Sequence, residues 1–337
     1  MALVGIARLA SQSELLEAKR QVQYFEIPTR SILNRTRPGM PFQWTINPYR
    51  GCEFGCKYCF ARYTHEFMEM LPEDFEDKIY AKSATAYLLR QELGRIDRAD
   101  HIAIGTATDP YQPAERRYGR TRAILEVFAR ERGRHVGITT KSDLVARDLD
   151  LLREIARSNV LAVHFTITTL DEKLARLLEP LAPTPELRLA AARKLSAAGI
   201  CVGVLPNPVM PGLTDGEKSL DRLAYAARQA GAMTFGGGPL FLGAAARKVF
   251  LPFLDREFPD LAPRYRAMYE GRVHLGRAYK EALAARLDRV RDRYGLASGW
   301  IEYRPELWEG EEQGELFSLT VKSAWIWRTS ITNCPKN

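Results

Sequence analysis

Cysteine and histidine are scarce in this chain, and the scarcity narrows its chemistry. Only five of each occur in 337 residues. Three of the cysteines fall within eight positions, which excludes a disulfide framework and suits a reducing, cytoplasmic setting. There is no second C-x2-C pair and no Cys-Cys plus His-His set, so the usual structural zinc patterns are absent. No apolar run reaches 18 residues, which excludes a membrane-spanning helix and a membrane partner. The opening Met1-Ala2-Leu3-Val4-Gly5-Ile6-Ala7-Arg8 turns polar too soon for a secretory segment. Lysine is scarce as well, with 12 against 37 arginines, and the net charge is +8. Such a charge permits a nucleic-acid partner without demanding one. Arg286, Arg289, Arg291 and Arg293 recur at helical spacing and read as a solvated face. No internal repeat or low-complexity tract stands out.

What is present is concentrated in one run, Asn47-Pro48-Tyr49-Arg50-Gly51-Cys52-Glu53-Phe54-Gly55-Cys56-Lys57-Tyr58-Cys59-Phe60. The C-x3-C-x2-C spacing supplies three thiolates and no obvious fourth. A [4Fe–4S] cube held by four cysteines is saturated and only passes electrons. A cube held by three keeps one iron open, and an open position separates a reactive metal site from a structural one. The competing readings are a zinc site completed by His65 and a plain electron-transfer cluster. Cys201, in Ile200-Cys201-Val202-Gly203-Val204, reads as a small buried hydrophobe, and Cys334 lies in a polar tail.

Around this run, short β-branched stretches alternate with amphipathic ones. The pattern predicts strands at 43–47, 101–106, 135–140, 160–168, 200–205 and 232–241, with helices between them. Thr184-Pro185 reads as the start of a helix closed by Gly199, and Thr214 with Glu217 reads as a capping box. Strand–helix alternation implies a parallel sheet, and six units leave open whether it is doubly wound or an incomplete barrel. Residues 1–41 read as an irregular N-terminal extension, 42–243 as the core, and 244–337 as a helical C-terminal region. Its helices are expected at Lys248–Phe258, Pro263–Gly271 and Gly276–Tyr294. The last twenty residues, including Trp325 and Trp327, match no pattern.

In parallel α/β folds ligands lie at the carboxyl ends of the strands. Four polar clusters fall there. They are Gly105-Thr106-Ala107-Thr108-Asp109-Pro110-Tyr111-Gln112-Pro113-Ala114-Glu115, Thr139-Thr140-Lys141-Ser142, Thr166-Ile167-Thr168-Thr169, and Pro206-Asn207-Pro208-Val209-Met210-Pro211-Gly212. Lys141 suits a carboxylate as a point charge. Each cluster has a plainer alternative, since strand-end hydroxyls often only cap the next helix.

The cysteine run resembles the cluster loop of radical S-adenosylmethionine (SAM) enzymes. Together with the strand-end clusters, Thr121-Arg122, Leu125-Glu126, Arg147-Asp148 and Glu179-Pro180, residues 40–245 resemble the group related to spore photoproduct lyase. That resemblance implies a partial (β/α)6 barrel of the α/β class, and a cluster on Cys52, Cys56 and Cys59 whose open iron binds SAM. It places Tyr58 near the adenine and Thr106, Thr108, Lys141 and Thr166 or Thr168 at the methionine end. The Gly-Gly-Glu signature that binds the amine in many relatives is missing, so Thr106, Thr108 or Asp109 inherits that role. The resemblance also implies an external one-electron reductant such as flavodoxin or ferredoxin, and a substrate that the sequence leaves open, with nucleic acid among the candidates. In one respect the chain departs from the lyase, whose hydrogen-atom donor is a cysteine on the strand after the cluster loop. Between His101 and Asp109 there is none, and Thr106 stands in its place.

Overall fold

The structure, a computed structural model, describes residues 3–18 and 22–299. Eleven strands follow in chain order among them: β1 (Glu14–Ala18), β2 (Gln23–Ile27), β3 (Leu33–Arg35), β4 (Trp44–Ile46), β5 (Tyr49–Arg50), β6 (Lys78–Lys82), β7 (His101–Ile104), β8 (His135–Thr140), β9 (Val160–Thr166), β10 (Cys201–Leu205) and β11 (Thr234–Phe235). β4, β7, β8, β9, β10 and β11 lie side by side in that order and parallel, with β3 antiparallel against β4 at one edge. The order is linear and does not close on itself. This is the six-stranded partial barrel of the α/β class expected from the resemblance.

The strands are short and apolar because both faces are covered. Ile46, Ile102, Ile104, Val136, Ile138, Val163, Phe165, Val202 and Val204 are all fully buried, and the helices Arg120–Phe128, Leu149–Ser158, Pro185–Ala197 and Glu217–Gln229 close over them. Helix punctuation follows the chemistry at Thr184, whose side chain accepts a hydrogen bond from Leu187 N–H with Pro185 in the first turn. It departs at Thr214. That residue is buried and its hydroxyl accepts from Met210 N–H, 2.8 Å away, while the helix begins after Gly216 with no side-chain cap. The preceding turn takes the hydroxyl before the helix can use it.

Two other expectations are corrected. The sixth strand is only Thr234–Phe235, because Gly236-Gly237-Gly238 carries no side chains to pack into a sheet. The N-terminal residues are not irregular. They form a helix (Gly5–Ser11) and a second sheet of order β1-β2-β6-β5, in which β2 runs parallel to β6. β6 lies in the segment after the cysteine run, so this small sheet backs the loop that carries the cysteines. On the other side, the helices Ala244–Glu257 and Ala262–Met268 share a hydrophobic cluster with Cys52, Phe54, Cys56 and Tyr58. The final helix, Arg277–Tyr294, returns to the barrel through Leu283, Leu287 and Val290. Trp325, Trp327 and Cys334 lie outside the described residues. No helix among the described residues is long and apolar enough to cross a membrane.

Candidate active site

The cysteine run leaves β5 and crosses the carboxyl ends of the barrel strands, where a cavity of about 450 Å³ opens. That volume is within the range of roughly 300–1,000 Å³ usual for small-molecule sites. Cys52 and Cys56 are buried, Cys59 is half-buried, and all three line the cavity. The loop has no regular structure of its own and is held by neighbours. Cys52 N–H donates to Phe75 O at 2.9 Å, and Lys57 N–H donates to Leu178 O at 2.9 Å. Gly51 O accepts from Thr108 Oγ1 at 2.6 Å and from Gln112 Nε2 at 3.0 Å. Gln112 Oε1 in turn accepts from Glu53 N–H at 3.0 Å, and the Glu53 carboxylate accepts from Ala114 N–H and Tyr24 Oη, each at 2.7 Å. Arg62, fully buried, donates to Cys56 O and Pro72 O and pairs with Glu76.

Burial pushes all three thiols up: Cys52 well above its ordinary value, Cys56 to about 12, and Cys59 upward despite the nearby Arg62 guanidinium. Without a cation among them the thiols stay protonated at neutral pH. A metal centre would supply that charge and take the protons' place. Three soft donors on one loop, facing a cavity rather than packed shut, fit an iron–sulfur cluster with an open side. The zinc alternative fits poorly. His65 is fully buried behind the loop, its Nε2 bonded to Lys78 O at 3.0 Å and its ring packed edge-on against Phe75. Burial lowers its pKa to about 4. Among the described residues no three His, Cys, Asp or Glu side chains converge as ligands of a single metal ion.

The cavity wall brings together most of the strand-end residues singled out from sequence. Thr106, Thr108, Asp109, Lys141, Thr166 and Tyr58 all line it. Their free capacity differs. Asp109 is occupied: Oδ1 accepts from Thr140 Oγ1 at 2.7 Å and Tyr111 N–H at 2.9 Å, and Oδ2 accepts from Lys141 N–H at 2.6 Å. Burial nonetheless raises its pKa. Thr108 is spent on Gly51 O. Among the described residues the Thr106 hydroxyl bonds to Asn47 alone, whose Nδ2 lies 3.1 Å away and whose Oδ1 accepts from Ala107 N–H. Lys141 places its ammonium 5.7 Å from the centre of the Tyr58 ring. Burial opposes its charge, but Cys56 and Glu179 outweigh that, and its pKa is raised.

Thr168 is not on the cavity wall. Its hydroxyl turns to Glu179 Oε1 at 3.3 Å, the carboxylate that also receives the Tyr58 hydroxyl. Glu179 pairs with Arg188 at 2.6 Å with both side chains buried, and Arg188 also donates to Thr166 O at 2.9 Å. Burial pushes Glu179 up, yet Arg188 and Lys141 reverse this and hold it below the ordinary carboxylate range. Sequence reading missed Asn47, Glu53, Gln112 and Arg188 as parts of the site. The first three stand inside the motifs that were quoted, but nothing in a one-dimensional pattern shows that a glutamine eight residues past a strand reaches back to a loop. Cys201 is buried on β10 opposite Ala162, away from the cavity.

Comparison with known proteins adds a family and a fold. The model of the Radical SAM superfamily matches residues 46–224. An uncharacterized protein of Mycobacterium tuberculosis is 37% identical over 288 residues, covering 84% of each chain. An uncharacterized protein of Methanocaldococcus jannaschii is 27% identical over 245 residues, covering 71% of this chain and 85% of that one. Among solved structures, a spore photoproduct lyase complexed with dinucleoside spore photoproduct superposes with a TM-score of 0.64 at 16% identity, covering 82% of this chain and 80% of that one. A mutant of that lyase with bound AdoMet and dinucleoside spore photoproduct gives 0.63 at 16% identity, over 81% and 80%. The likeness to these structures is one of fold.

Proposed function

The chain belongs to the radical SAM superfamily and is a radical SAM enzyme, and on that premise we propose that Cys52, Cys56 and Cys59 hold a [4Fe–4S] cluster with one open iron, at which SAM binds for hydrogen abstraction from a nucleic-acid substrate. The observation that carries the cluster reading is that the buried Cys52 and Cys56, the half-buried Cys59 and Lys141 all line one cavity at the strand ends. Held by Cys52, Cys56 and Cys59, such a cluster would supply, with one electron from a donor such as flavodoxin or ferredoxin, the reductive cleavage of SAM to a 5′-deoxyadenosyl radical for hydrogen abstraction. The protein's own part is orientation and exclusion of water. With SAM bound, Lys141 would hold its carboxylate, Thr106 and Thr166 its methionine end, and Tyr58 its adenine, all four lining the cavity. Anaerobic reconstitution should give four irons per chain, an EPR signal that shifts on adding SAM, and 5′-deoxyadenosine release with dithionite. Loss of any one of the three cysteines to alanine should abolish all of these. A colourless protein holding one zinc, or a cluster indifferent to SAM, overturns the reading.

The nucleic-acid part rests on the rim. Five exposed rings follow one another past Cys59, with Phe60 in the middle: Phe67–Tyr63 edge-on at 5.4 Å, Tyr63–Phe60 stacked at 6.4 Å, Phe60–Phe241 edge-on at 6.3 Å and Phe241–His274 tilted at 5.0 Å. The His274 end borders an open groove of about 820 Å³ lined also by Arg247 and Arg272. Stacking faces beside cations are what a single strand needs, for its bases and phosphates respectively. Repair by the lyase's thiol route is not proposed, since no cysteine stands between His101 and Asp109. Binding of a labelled single-stranded oligonucleotide should weaken with rising salt, and Phe67→Ala should cost roughly tenfold, the scale of one lost stacking contact. Affinity indifferent to both salt and Phe67→Ala removes nucleic acid from the reading.

A further inference from the structure

The segment Leu178–Ala182 is the least expected neighbour of the cysteine loop. It contributes no side chain to the barrel sheet, yet it holds the loop from both sides: Leu178 O accepts from Lys57 N–H, and Leu181 N–H donates to Phe54 O at 3.3 Å. Between these two clamps stands Glu179, a carboxylate with both faces engaged and almost no exposure. Oε1 accepts from the hydroxyls of Tyr58 and Thr168, and Oε2 pairs with Arg188. A buried ion pair costs desolvation, so one retained next to a reactive loop calls for a reason beyond stability. Two features supply it. Tyr58 sits between Cys56 and Cys59, so the carboxylate that fixes its hydroxyl fixes the orientation of the loop's second half. Glu179 is also an anion beside two cations near the thiols: it pairs with Arg188 at 2.6 Å, and against the burial that opposes their charge it favours the protonated forms of Arg188 and, with Cys56, of Lys141.

We propose that Glu179 is a positioning residue for the cluster and for SAM: it orients Tyr58 between two cluster cysteines and supplies the negative charge that balances Arg188 and Lys141 beside Cys56. The inference rests on the cluster reading given above. Outer-shell carboxylates that orient metal-site groups typically change affinity or activity by about 10–100-fold when altered, and the same order is expected here for SAM binding.

The test uses the full chain, reconstituted anaerobically, as wild type, Glu179→Gln and Tyr58→Phe. Glu179→Gln keeps shape and an acceptor for Tyr58 but removes the charge. Its cluster should form with wild-type iron content, show a reduction potential moved to more positive values, and bind SAM about tenfold more weakly in an EPR titration. Tyr58→Phe keeps the charge and removes the tether. Its potential should stay at the wild-type value while SAM affinity falls by a similar factor. Glu179→Gln with wild-type potential and wild-type SAM affinity overturns the inference. If Glu179→Gln does not fold, Tyr58→Phe decides alone, and unchanged SAM affinity there overturns the positioning role. Wild-type protein that assembles no cluster overturns the cluster reading itself, a result separable from the others because it appears before any substitution is made.

Discussion

At the scale of single residues, the site depends on atoms that are missing as much as on those present. Gly51 has a φ of +79°, and a Cβ there would lie 2.7 Å from Lys78 O and 2.9 Å from Phe75 O. Both contacts are backbone and cannot rotate away. Gly105 is as tightly held: its absent Cβ would meet the Pro110 ring at Cδ and the backbone Thr139 O, each at 2.5 Å. Gly51→Ala should therefore destabilise the fold by about 1–3 kcal/mol from backbone conformation alone, with the steric conflict adding to it. Because the carbonyl of Gly51 is the acceptor for Thr108 and Gln112, the loop should shift and iron uptake should fall. A denaturant midpoint and an iron assay on reconstituted Gly51→Ala check this; a variant with unchanged midpoint and iron content contradicts it. That Gly51 precedes the first cysteine is plain from the sequence. The carbonyls that crowd it are not, since they come from residues more than twenty positions later.

Among elements, strands were the most legible and termini the least. Apolar runs at 101–106, 135–140, 160–168 and 200–205 correspond to β7 through β10 because a strand buried on both faces must be continuously hydrophobic. β11 shrinks to two residues since its glycines have nothing to pack. Thr214 illustrates a different failure. A threonine three positions before a glutamate looks like a capping box in any sequence, but whether its hydroxyl reaches the helix depends on the turn before it. The arginines of the last helix show the same limit. Arg286, Arg289 and Arg293 are not only a solvated face: they reach Asp215, Glu217 and Asp221 at the neighbouring helix. These pairs fix three arginines against the fold but leave the net charge of +8 as it is. Of the arginines beside the aromatic rings, Arg247 already donates to Tyr269 O and Arg272 O, while Arg272 is exposed on the groove.

For the molecule as a whole, two histidines in the interior, His65 fully buried and His164 half-buried, make stability depend on acidity. His65 lies behind the cysteine loop and His164 lies on β9, and burial lowers both to a pKa of about 4. In the unfolded chain each takes up a proton near pH 6.5. The folded state keeps them neutral, so the stability they contribute is complete above pH 6.5 and is lost as pH falls through about 4. Their contribution is at most about 3 kcal/mol each. Denaturant-derived stability should fall steadily from pH 7 to pH 4, and the slope should lessen in His164→Gln provided that variant folds; a flat profile contradicts the prediction. The sequence by itself determined the three-thiol loop and the alternation of strands and helices, because ligand spacing and hydrophobic period are local properties of a chain. It also named Lys141 and Thr106 as wall residues, since strand ends in a parallel sheet point toward one mouth. Only the tertiary structure decided that Thr168 serves Glu179 rather than the cavity, that Asp109 and Thr108 are already occupied, and that the N-terminal strands back the cysteine loop. Those outcomes turn on which donors and acceptors meet across separations of tens of residues, and that is fixed by packing rather than by pattern.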